Sequence, residues 1–309
     1  MDDVVYPYAA YGYERMIRDA ARLEAAYPEL IRLSRAGVSA EGRDLLLAEL
    51  GKGPGKLFVC GAMHAREYIT STYLMFMLER YARAYETDGF FGKFDIRAIL
   101  GRFTFVVLPM VNPDGVRLAQ KGIASVRDPV RISGMPVVEG AEYGYRAWKS
   151  NIRGVDLNRN FSVNWGGPVL SRGGASAWYG GEYPFSEPET QAVLRVIRAN
   201  EFQAYISFHA QGEGLYWSKN TSRALRLAER VGRETGFELL SENEDVEDAG
   251  TEKGDGGSFL EYVEAKGRSP FLTVELCPYV GPYPYPDADF DRVWEPAGSI
   301  CLAAAAALS

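Results

Sequence analysis

Histidine is nearly absent from this sequence of 309 residues, which contains only His64 and His209. Cysteine is also scarce, and the three cysteines, Cys60, Cys277 and Cys301, lie in apolar stretches. Three cysteines are too few for a disulfide framework, so we expect small buried side chains at these positions. A site that needs two histidines can use only this one pair. The residues around each histidine are therefore the first place to look for a functional site.

The sequence also lacks an excess of basic residues and any long apolar run. Its formal net charge is −7 at pH 7, which argues against nucleic acid or an anionic membrane surface as the main partner. The apolar tail at residues 300–308 is too short to span a bilayer. The first residues contain no basic segment followed by an apolar one, so we expect a cytoplasmic protein; a trimmed piece of a secreted protein would look the same.

The pattern of apolar residues predicts the fold class. Alternating or continuous apolar runs predict strands at residues 30–34, 45–50, 56–60, 103–108, 202–208 and 271–276. Apolar residues at helical spacing predict helices at residues 13–27, 70–85, 94–100, 186–199, 222–235, 257–265 and 290–308. Because strands alternate with helices and no linker interrupts them, we expect one α/β domain over residues 1–309. It would be a three-layer α/β/α fold with a mixed, mainly parallel, twisted sheet between helices.

One long stretch, residues 111–185, is rich in Gly, Pro, Asn and Ser and has no strong periodicity. Loops of this length in a compact domain are usually functional or disordered, and we interpret this one as functional. Within it we interpret Asn-Pro-Asp-Gly at residues 112–115 as a turn. The helix that follows is expected to begin with a capping box formed by Ser186 and Glu189.

Both histidines follow apolar runs that are predicted to be strands. His64 is three residues before Glu67, and His209 ends the later strand. Two histidines and one carboxylate suit Zn²⁺ with an open fourth position; the alternative is two ordinary buried histidines. Glu275 lies in an apolar strand where an unpartnered carboxylate would be costly, so we interpret it as a general base beside the metal or, alternatively, as a structural ion pair. Asp156 is a candidate to orient a ligand histidine.

Three arginines lie close to these motifs in the sequence. They are Arg66, Arg153 and Arg159. Arginine binds carboxylates through two hydrogen bonds and stabilises oxyanions, so each is a candidate for substrate binding. The alternative for each is a solvated surface residue.

Taken together, the motifs of this chain resemble those of the zinc carboxypeptidase family of pancreatic carboxypeptidase A. They run through nearly the whole chain in the family's order: His64-x-x-Glu67, Asn112-Pro-Asp-Gly115, Gly154-Val-Asp-x-Asn-Arg-Asn160, Ser186-Glu-Pro-Glu189, Ser207-x-His209 and Thr273-x-Glu275. The resemblance implies one zinc ion per chain, bound by His64, Glu67 and His209. It implies that Glu275 acts as general base and then as general acid.

The resemblance also implies roles for the polar residues around the metal. Asn158 and Arg159 would bind the terminal carboxylate of the substrate, and Arg66 would line a neighbouring subsite. Arg153 is the candidate for the arginine that stabilises the transition state, with Lys149 as the second choice.

The family's tyrosine that closes over the substrate has no counterpart here. One alignment puts Glu252 at its place and another puts Lys253 there. The first alignment puts Phe259 at the base of the specificity pocket.

Within the family, the residues in and around these motifs resemble those of the bacterial branch. That branch includes peptidases that cut the γ-D-glutamyl bond before meso-diaminopimelate in cell-wall peptides, which implies a substrate derived from peptidoglycan. Glu252, Lys253 and Asp255 would then form a mixed-charge pocket for the extra amino-acid centre of that substrate. The alternatives are a general C-terminal carboxypeptidase acting on L-peptides and a non-catalytic module that binds zinc or a peptide.

Overall fold

The strands form one large twisted sheet and one small hairpin. In the computed structural model, the described residues are 3–166, 173–219, 222–240, 256–267 and 269–308. Their strands are β1 Ile31–Val38, β2 Asp44–Gly51, β3 Gly55–Cys60, β4 Phe90–Phe91, β5 Phe94–Asp95, β6 Phe103–Leu108, β7 Ala204–His209, β8 Gly214–Trp217, β9 Glu238–Leu239 and β10 Phe271–Glu275. The large sheet has the order β1-β2-β6-β3-β7-β10-β8-β9, and β4 pairs with β5. The strands β6, β3, β7 and β10 at its centre are parallel. β1 is antiparallel to β2, β2 to β6 and β8 to β10, whereas β9 is parallel to β8.

Helices cover both faces of this sheet. They are α1 Tyr13–Ala26, α2 Ile69–Glu86, α3 Ile96–Arg102, α4 Pro113–Lys121, α5 Pro129–Ser133, α6 Pro188–Ala199, α7 Ser222–Thr235, α8 Phe259–Lys266, α9 Phe290–Ala297 and α10 Ile300–Leu308. Successive residues of a strand point to opposite faces: Leu57 and Val59 of β3 pack in the core beside α2 and α10, while Phe58 and Cys60 pack beside α6 and α8. The predicted α/β class with a mixed, mainly parallel sheet between helices is therefore confirmed.

Several local predictions were wrong. The expected turn at residues 112–115 is the start of α4, whose first turn is capped by the side chain of Asn112 accepting a hydrogen bond from the backbone N–H of Gly115 (3.0 Å). The expected last helix is two helices, α9 and α10, because Pro296 cannot donate a backbone hydrogen bond and α9 ends one residue later. Strands β4, β5, β8 and β9 and helix α5 were not predicted, and each has at most five residues.

The predicted capping box at α6 is also absent. The helix begins at Pro188, but the side chain of Ser186 donates to Glu187 and the carboxylate of Glu189 turns inward. A capping box does occur at α8, between Ser258 and Glu261. The difference arises because Glu189 has partners from distant segments, which a local sequence pattern does not include.

These partners bury Glu189 completely. Its carboxylate accepts hydrogen bonds from the backbone N–H of Ala40 (2.8 Å) and from the side-chain amide of Asn151 (3.2 Å). The same amide donates to Glu187 (2.8 Å). Burial, together with the nearby charges of Asp114 and Glu187, raises the pKa of Glu189 to about 8. The folded protein therefore holds a proton on Glu189 near neutral pH.

We expect Glu189 to lower the free energy of unfolding as pH rises from about 4.5 to about 8. The unfolded chain titrates this carboxyl near 4.5, so in that window unfolding releases a proton that the folded protein retains. The effect is at most about 5 kcal/mol, since one unit of pKa difference corresponds to about 1.4 kcal/mol. Urea unfolding of the metal-free protein between about pH 5 and about pH 9 measures it.

Glu189→Gln removes the titration and is expected to flatten this dependence. It also adds a constant loss of stability, because its amide faces the donating amide of Asn151. The exposed residue Glu182 provides the control, and Glu182→Gln is expected to keep the slope of the wild type. Profiles for wild type and Glu189→Gln that run parallel would contradict the assignment.

Among the described helices, none combines the length and apolar character that a membrane crossing requires.

Candidate metal centre and active site

Two adjacent parallel strands bring the second histidine and Glu275 together. β7 ends at His209 and β10 ends at Glu275, and the two residues lie opposite each other in the strand pairing. The third element is a short turn after β3: His64 precedes a 3₁₀ turn, Ala65–Glu67, that leads into α2. The predicted meeting of these residues at the carboxyl ends of the central strands is therefore what the structure has.

The three predicted metal ligands converge in a buried cluster. His64 Nδ1 lies 2.8 Å from Glu67 Oε1, and His209 Nδ1 lies 3.0 Å from Glu67 Oε2. The two Nδ1 atoms are 3.2 Å apart, and all three side chains are buried. Two imidazole nitrogens and a carboxylate that face one point away from water form a donor set that suits a zinc ion.

Polar groups behind both histidines face Nε2, so the Nδ1 atoms are turned toward the cluster. His64 Nε2 is 3.3 Å from Asp156 Oδ1, and His209 Nε2 is 3.1 Å from Ser207 Oγ. When the ring proton is on Nε2, on the side of these oxygens, Nδ1 carries the lone pair that binds a metal. Asp156 takes the predicted place behind His64. Ser207 was noted only as part of a motif; its position two residues before His209, on the same side of β7, is the signal that identifies it.

The carboxylate of Asp156 is held in its charged form. It is fully buried, and its oxygens accept hydrogen bonds from the backbone N–H groups of Asn158 (3.0 Å) and Trp178 (3.3 Å). Burial alone would raise the pKa of Asp156, but His64 and the nearby cation of Lys149 outweigh burial and lower it. Asp156 is therefore an acceptor for the ring N–H of His64 across the ordinary pH range.

We expect Asp156→Asn to weaken zinc binding by about 10- to 100-fold, because the ring of His64 loses a charged acceptor. Competition for zinc against a chromophoric chelator measures the change. Asp128→Asn, at an exposed N-cap of α5, is the control and is expected to bind zinc like the wild type. Equal zinc affinity in Asp156→Asn and the control would show that Asp156 has no such role.

Glu275 sits in the same enclosed space. Burial and the nearby carboxylate of Glu67 raise the pKa of Glu275, while His209 and the cations of Lys149 and Arg66 act in the opposite direction. The loop after His209 packs directly on it: a Cβ on Gly212 would lie 2.9 Å from the Cβ of Glu275. Glu275 is thus a half-buried carboxyl beside the metal cluster, positioned by two paired strands.

The structure places the two candidate cations, Arg153 and Lys149, in different surroundings. Arg153 points away from Glu275: its Nη1 lies 3.7 Å from Glu187 Oε2, and 43% of its side chain is exposed. Lys149, the second choice, is 7% exposed and places its ammonium 4.0 Å from the centre of the Trp178 ring. The charge of Lys149 is among those that lower the pKa of Glu275, after burial and the nearer charges.

Asn158, Arg159 and Phe259 lie on one wall near these groups. Arg159 sits over the ring of Trp178, 5.1 Å from its centre. Asn158 Oδ1 accepts a hydrogen bond from the backbone N–H of Phe259 (3.0 Å), which leaves the amide nitrogen of Asn158 as a donor. The ring of Phe259 is fully buried and stacks on Phe161 with centroids 5.1 Å apart. The prediction that Phe259 forms the base of a specificity pocket is therefore wrong, because its ring fills the core.

Arg66 reaches the site from the turn between the first two ligands. Its guanidinium pairs with both oxygens of Glu139, at 3.0 and 3.2 Å. Glu139 was not predicted, since it lies in a stretch without periodicity. Glu252, Lys253 and Asp255 lie outside the described residues.

Comparison with known proteins agrees with this geometry. Residues 16–257 match the family model described as zinc carboxypeptidase. Gamma-D-glutamyl-L-diamino acid endopeptidase 1 of Lysinibacillus sphaericus is 27% identical over 308 residues, which are 95% of this chain and 72% of that protein. Mast cell carboxypeptidase A of Rattus norvegicus is 26% identical over 224 residues, 68% of this chain and 48% of that protein.

Solved structures share the fold. Bovine thrombin-activatable fibrinolysis inhibitor in complex with tick carboxypeptidase inhibitor has a TM-score of 0.76 at 20% identity, covering 98% of each chain. The murein-tripeptide amidase of Escherichia coli O157 has a TM-score of 0.52 at 20% identity, covering 90% of this chain and 94% of that one.

Proposed function

This chain belongs to the zinc carboxypeptidase family and is a hydrolytic metalloenzyme, and we propose that it cuts the γ-D-glutamyl bond before a diamino acid in cell-wall peptides. The observation that carries the peptidase chemistry is the buried His64, Glu67 and His209 cluster with Glu275 paired opposite His209. The finer substrate is supported by the relative that acts on γ-D-glutamyl-L-diamino acids, whose match extends over 95% of this chain.

The proposed roles follow from where each group lies. A bound zinc ion would polarise the scissile carbonyl and activate water. Glu275, half-buried beside the cluster, accepts the proton of the attacking water and returns it to the leaving amine. Lys149 stabilises negative charge that develops on the carbonyl oxygen, and Asn158 with Arg159 binds the carboxylate of the leaving residue.

We expect Lys149→Gln to lower kcat by about 100- to 1000-fold with little change in KM, because the lost charge acts mainly in the transition state. Lys149→Arg keeps the charge and is expected to retain more activity than Lys149→Gln. Arg153→Gln is the comparison, since Arg153 faces Glu187, and it is expected to stay within a few-fold of wild type. Steady-state kinetics on one peptide decides between them; a larger loss in Arg153→Gln would reverse the assignment.

A second function is favoured by a specific observation. Asn158 and Arg159 form a carboxylate-binding pair of the kind that suits any C-terminal residue, and mast cell carboxypeptidase A is among the relatives. General trimming of L-peptides is therefore the alternative. The third possibility is a non-catalytic binding module. In that case no zinc-dependent turnover is expected, so a chelator would have no activity to stop.

Mass spectrometry of a mixed digest separates these functions. The zinc-loaded protein is offered L-Ala-γ-D-Glu-meso-diaminopimelate together with a panel of L-peptides. We expect cleavage at the γ-D-glutamyl bond only. Loss of single C-terminal L-residues without that cleavage would overturn the proposed substrate, and absence of every product would overturn the peptidase assignment.

A further inference from the structure

Two cations with different tasks in the proposed function lie against one ring, that of Trp178. The ammonium of Lys149 is 4.0 Å from the centre of this ring, and the guanidinium carbon of Arg159 is 5.1 Å from it. Lys149 is only 7% exposed, and among the residues that the structure describes no carboxylate forms an ion pair with its ammonium. The face of the Trp178 ring is therefore the partner that holds this buried charge.

A ring holds a cation without cancelling its charge. A carboxylate in contact with Lys149 would neutralise the ammonium and weaken its attraction for negative charge on a substrate. An aromatic face attracts the ammonium through its quadrupole and carries no net charge. With Trp178 as the partner, the full positive charge of Lys149 remains available to an oxyanion.

The backbone of Trp178 has a conformation that large side chains rarely adopt. Its φ is +69°, in the left-handed region. Its N–H donates to Asp156 Oδ2 (3.3 Å), and the N–H of Asp156 donates to the backbone oxygen of Tyr179 (2.7 Å). The backbone N–H of Lys149 donates to that of Ser176 in the same segment (2.9 Å). Strained backbone of this kind is concentrated at functional sites, and here it sets the direction in which the ring leaves the chain.

The ring also lowers the cost of keeping two like charges close to each other. Lys149 and Arg159 both lower the pKa of Asp156, which shows that both act on the same small region. Asp156 already accepts backbone hydrogen bonds and faces the ring of His64, so it contacts neither cation in an ion pair. An aromatic face that attracts both cations offsets part of their mutual repulsion.

We propose that Trp178 is a positioning residue of the active site. Its ring holds the ammonium of Lys149 for the oxyanion and the guanidinium of Arg159 for the carboxylate of the leaving residue. The proposal rests on the proposed function, which gives the two cations these tasks. Trp178 acts through them, so removing its ring alters kcat through Lys149 and KM through Arg159.

The test first replaces the ring. Trp178→Leu removes the aromatic face, and Trp178→Phe keeps a smaller one. On L-Ala-γ-D-Glu-meso-diaminopimelate, the γ-D-Glu peptide, Trp178→Leu is expected to lower kcat and to raise KM, each by about 3- to 30-fold, the range for a desolvated cation on an aromatic face. Trp178→Phe is expected to lie between Trp178→Leu and wild type in both constants.

Two comparisons separate positioning from packing. In a Lys149→Gln background the ammonium is gone, so adding Trp178→Leu is expected to raise KM and to cause no further loss of kcat. The second comparison uses the γ-D-Glu peptide with an amide in place of the α-carboxylate of diaminopimelate. On this amide, Trp178→Leu is expected to lower kcat and to leave KM unchanged.

Trp294→Leu is the matched control. Trp294 is a half-buried ring of α9 that packs on Phe76 of α2, with centroids 4.9 Å apart. Its replacement removes a ring of the same size from a packed surface, and the variant is expected to keep the kcat and KM of wild type. A zinc content of one per chain in each variant verifies that the metal cluster remains folded. If Trp178→Leu fails this criterion, Trp178→Phe takes its place in every comparison.

Binding without turnover is a second readout. The zinc-free protein is titrated in a calorimeter with the γ-D-Glu peptide and with its amide. Wild type is expected to bind the γ-D-Glu peptide more tightly than the amide. Trp178→Leu is expected to bind the γ-D-Glu peptide about 3- to 30-fold more weakly than wild type does and the amide equally well.

The outcomes separate this proposal from the proposed function. Wild-type constants in zinc-loaded Trp178→Leu, or the same loss of kcat with and without Lys149, overturn the positioning role while the peptidase assignment stands. If wild type trims L-peptides and leaves the γ-D-Glu peptide intact, the proposed substrate is wrong, and the same variants are compared on an L-peptide and its C-terminal amide. If wild type cuts nothing, the peptidase assignment is wrong, and equal peptide affinities of wild type and Trp178→Leu overturn the role of Trp178 as well.

Discussion

Glu275→Gln is expected to lower kcat by about 1000-fold or more while the protein still binds one zinc ion per chain. The change keeps the size and shape of the side chain but removes the group that accepts a proton from the attacking water, and general base catalysis contributes up to about 10,000-fold. The amide also fits this half-buried position, because it carries no charge that its neighbours would have to compensate. Metal content by atomic emission and kcat on the γ-D-Glu peptide are the two measurements.

Two controls make this result specific to the carboxyl. Glu275→Asp keeps the charge but shortens the side chain, so partial activity is expected. Glu264→Gln changes a glutamate of α8, outside the cluster, and is expected to leave kcat unchanged. Retention of most activity in Glu275→Gln would refute the assigned base, and loss of zinc in the same variant would make Glu275 part of the metal site instead.

His209→Ala is expected to abolish zinc binding at micromolar metal and, with it, all turnover. It removes one of three donors, so the loss of affinity should exceed the roughly 100-fold effect of an outer hydrogen bond such as that of Asp156. Zinc should also stop stabilising the fold: at a zinc concentration about 100 times Kd, wild type gains about 2.7 kcal/mol, and the variant gains none. Thermal unfolding with and without zinc measures this difference.

Ser207→Ala provides the graded comparison for His209→Ala. It leaves His209 in place and removes only the oxygen 3.1 Å from Nε2. We expect zinc binding to weaken by about 10-fold and turnover to be regained at higher zinc. If His209→Ala kept wild-type zinc affinity, the ligand set of His64, Glu67 and His209 would be wrong.

The sheet and the metal cluster could be predicted because both depend on patterns of neighbouring residues in the sequence. Continuous apolar runs such as that of β3 mark strands buried on both faces, and the polar residues that follow such strands meet at one edge of a parallel sheet. His209 and Glu275 end two such strands, so their meeting needed no knowledge of the loops. His64 and Glu67 are three residues apart and share one turn.

The choice between Lys149 and Arg153 could not be made in this way. Both lie in a segment without periodicity, and their directions depend on distant contacts. Lys149 is held by its backbone N–H bonded to Ser176 (2.9 Å), whereas the side chain of Asn151 accepts from the backbone N–H of Arg153 (2.9 Å) and turns the chain toward Glu187. Ser176 and Glu187 are far from both cations in the sequence, so spacing alone could not show where either side chain lies.

The surroundings of Glu139 and Phe259 could not be predicted either, because they too depend on distant segments. Glu139 becomes meaningful only through its contact with Arg66, 73 residues earlier. Phe259 follows a helix-start signal, but which way its ring points is decided by the aromatic cluster with Phe58 and Phe161. Packing between distant segments, rather than local propensity, sets both outcomes.

The central claim is that one zinc ion held by His64, Glu67 and His209 makes this protein a peptidase. It is tested most directly by titrating the metal-free protein with zinc while following hydrolysis of the γ-D-Glu peptide. The account predicts that activity rises in proportion to zinc and stops rising at one equivalent per chain, with no activity before zinc is added. Activity that is already complete without zinc, or no activity with any substrate at one bound zinc per chain, would contradict it.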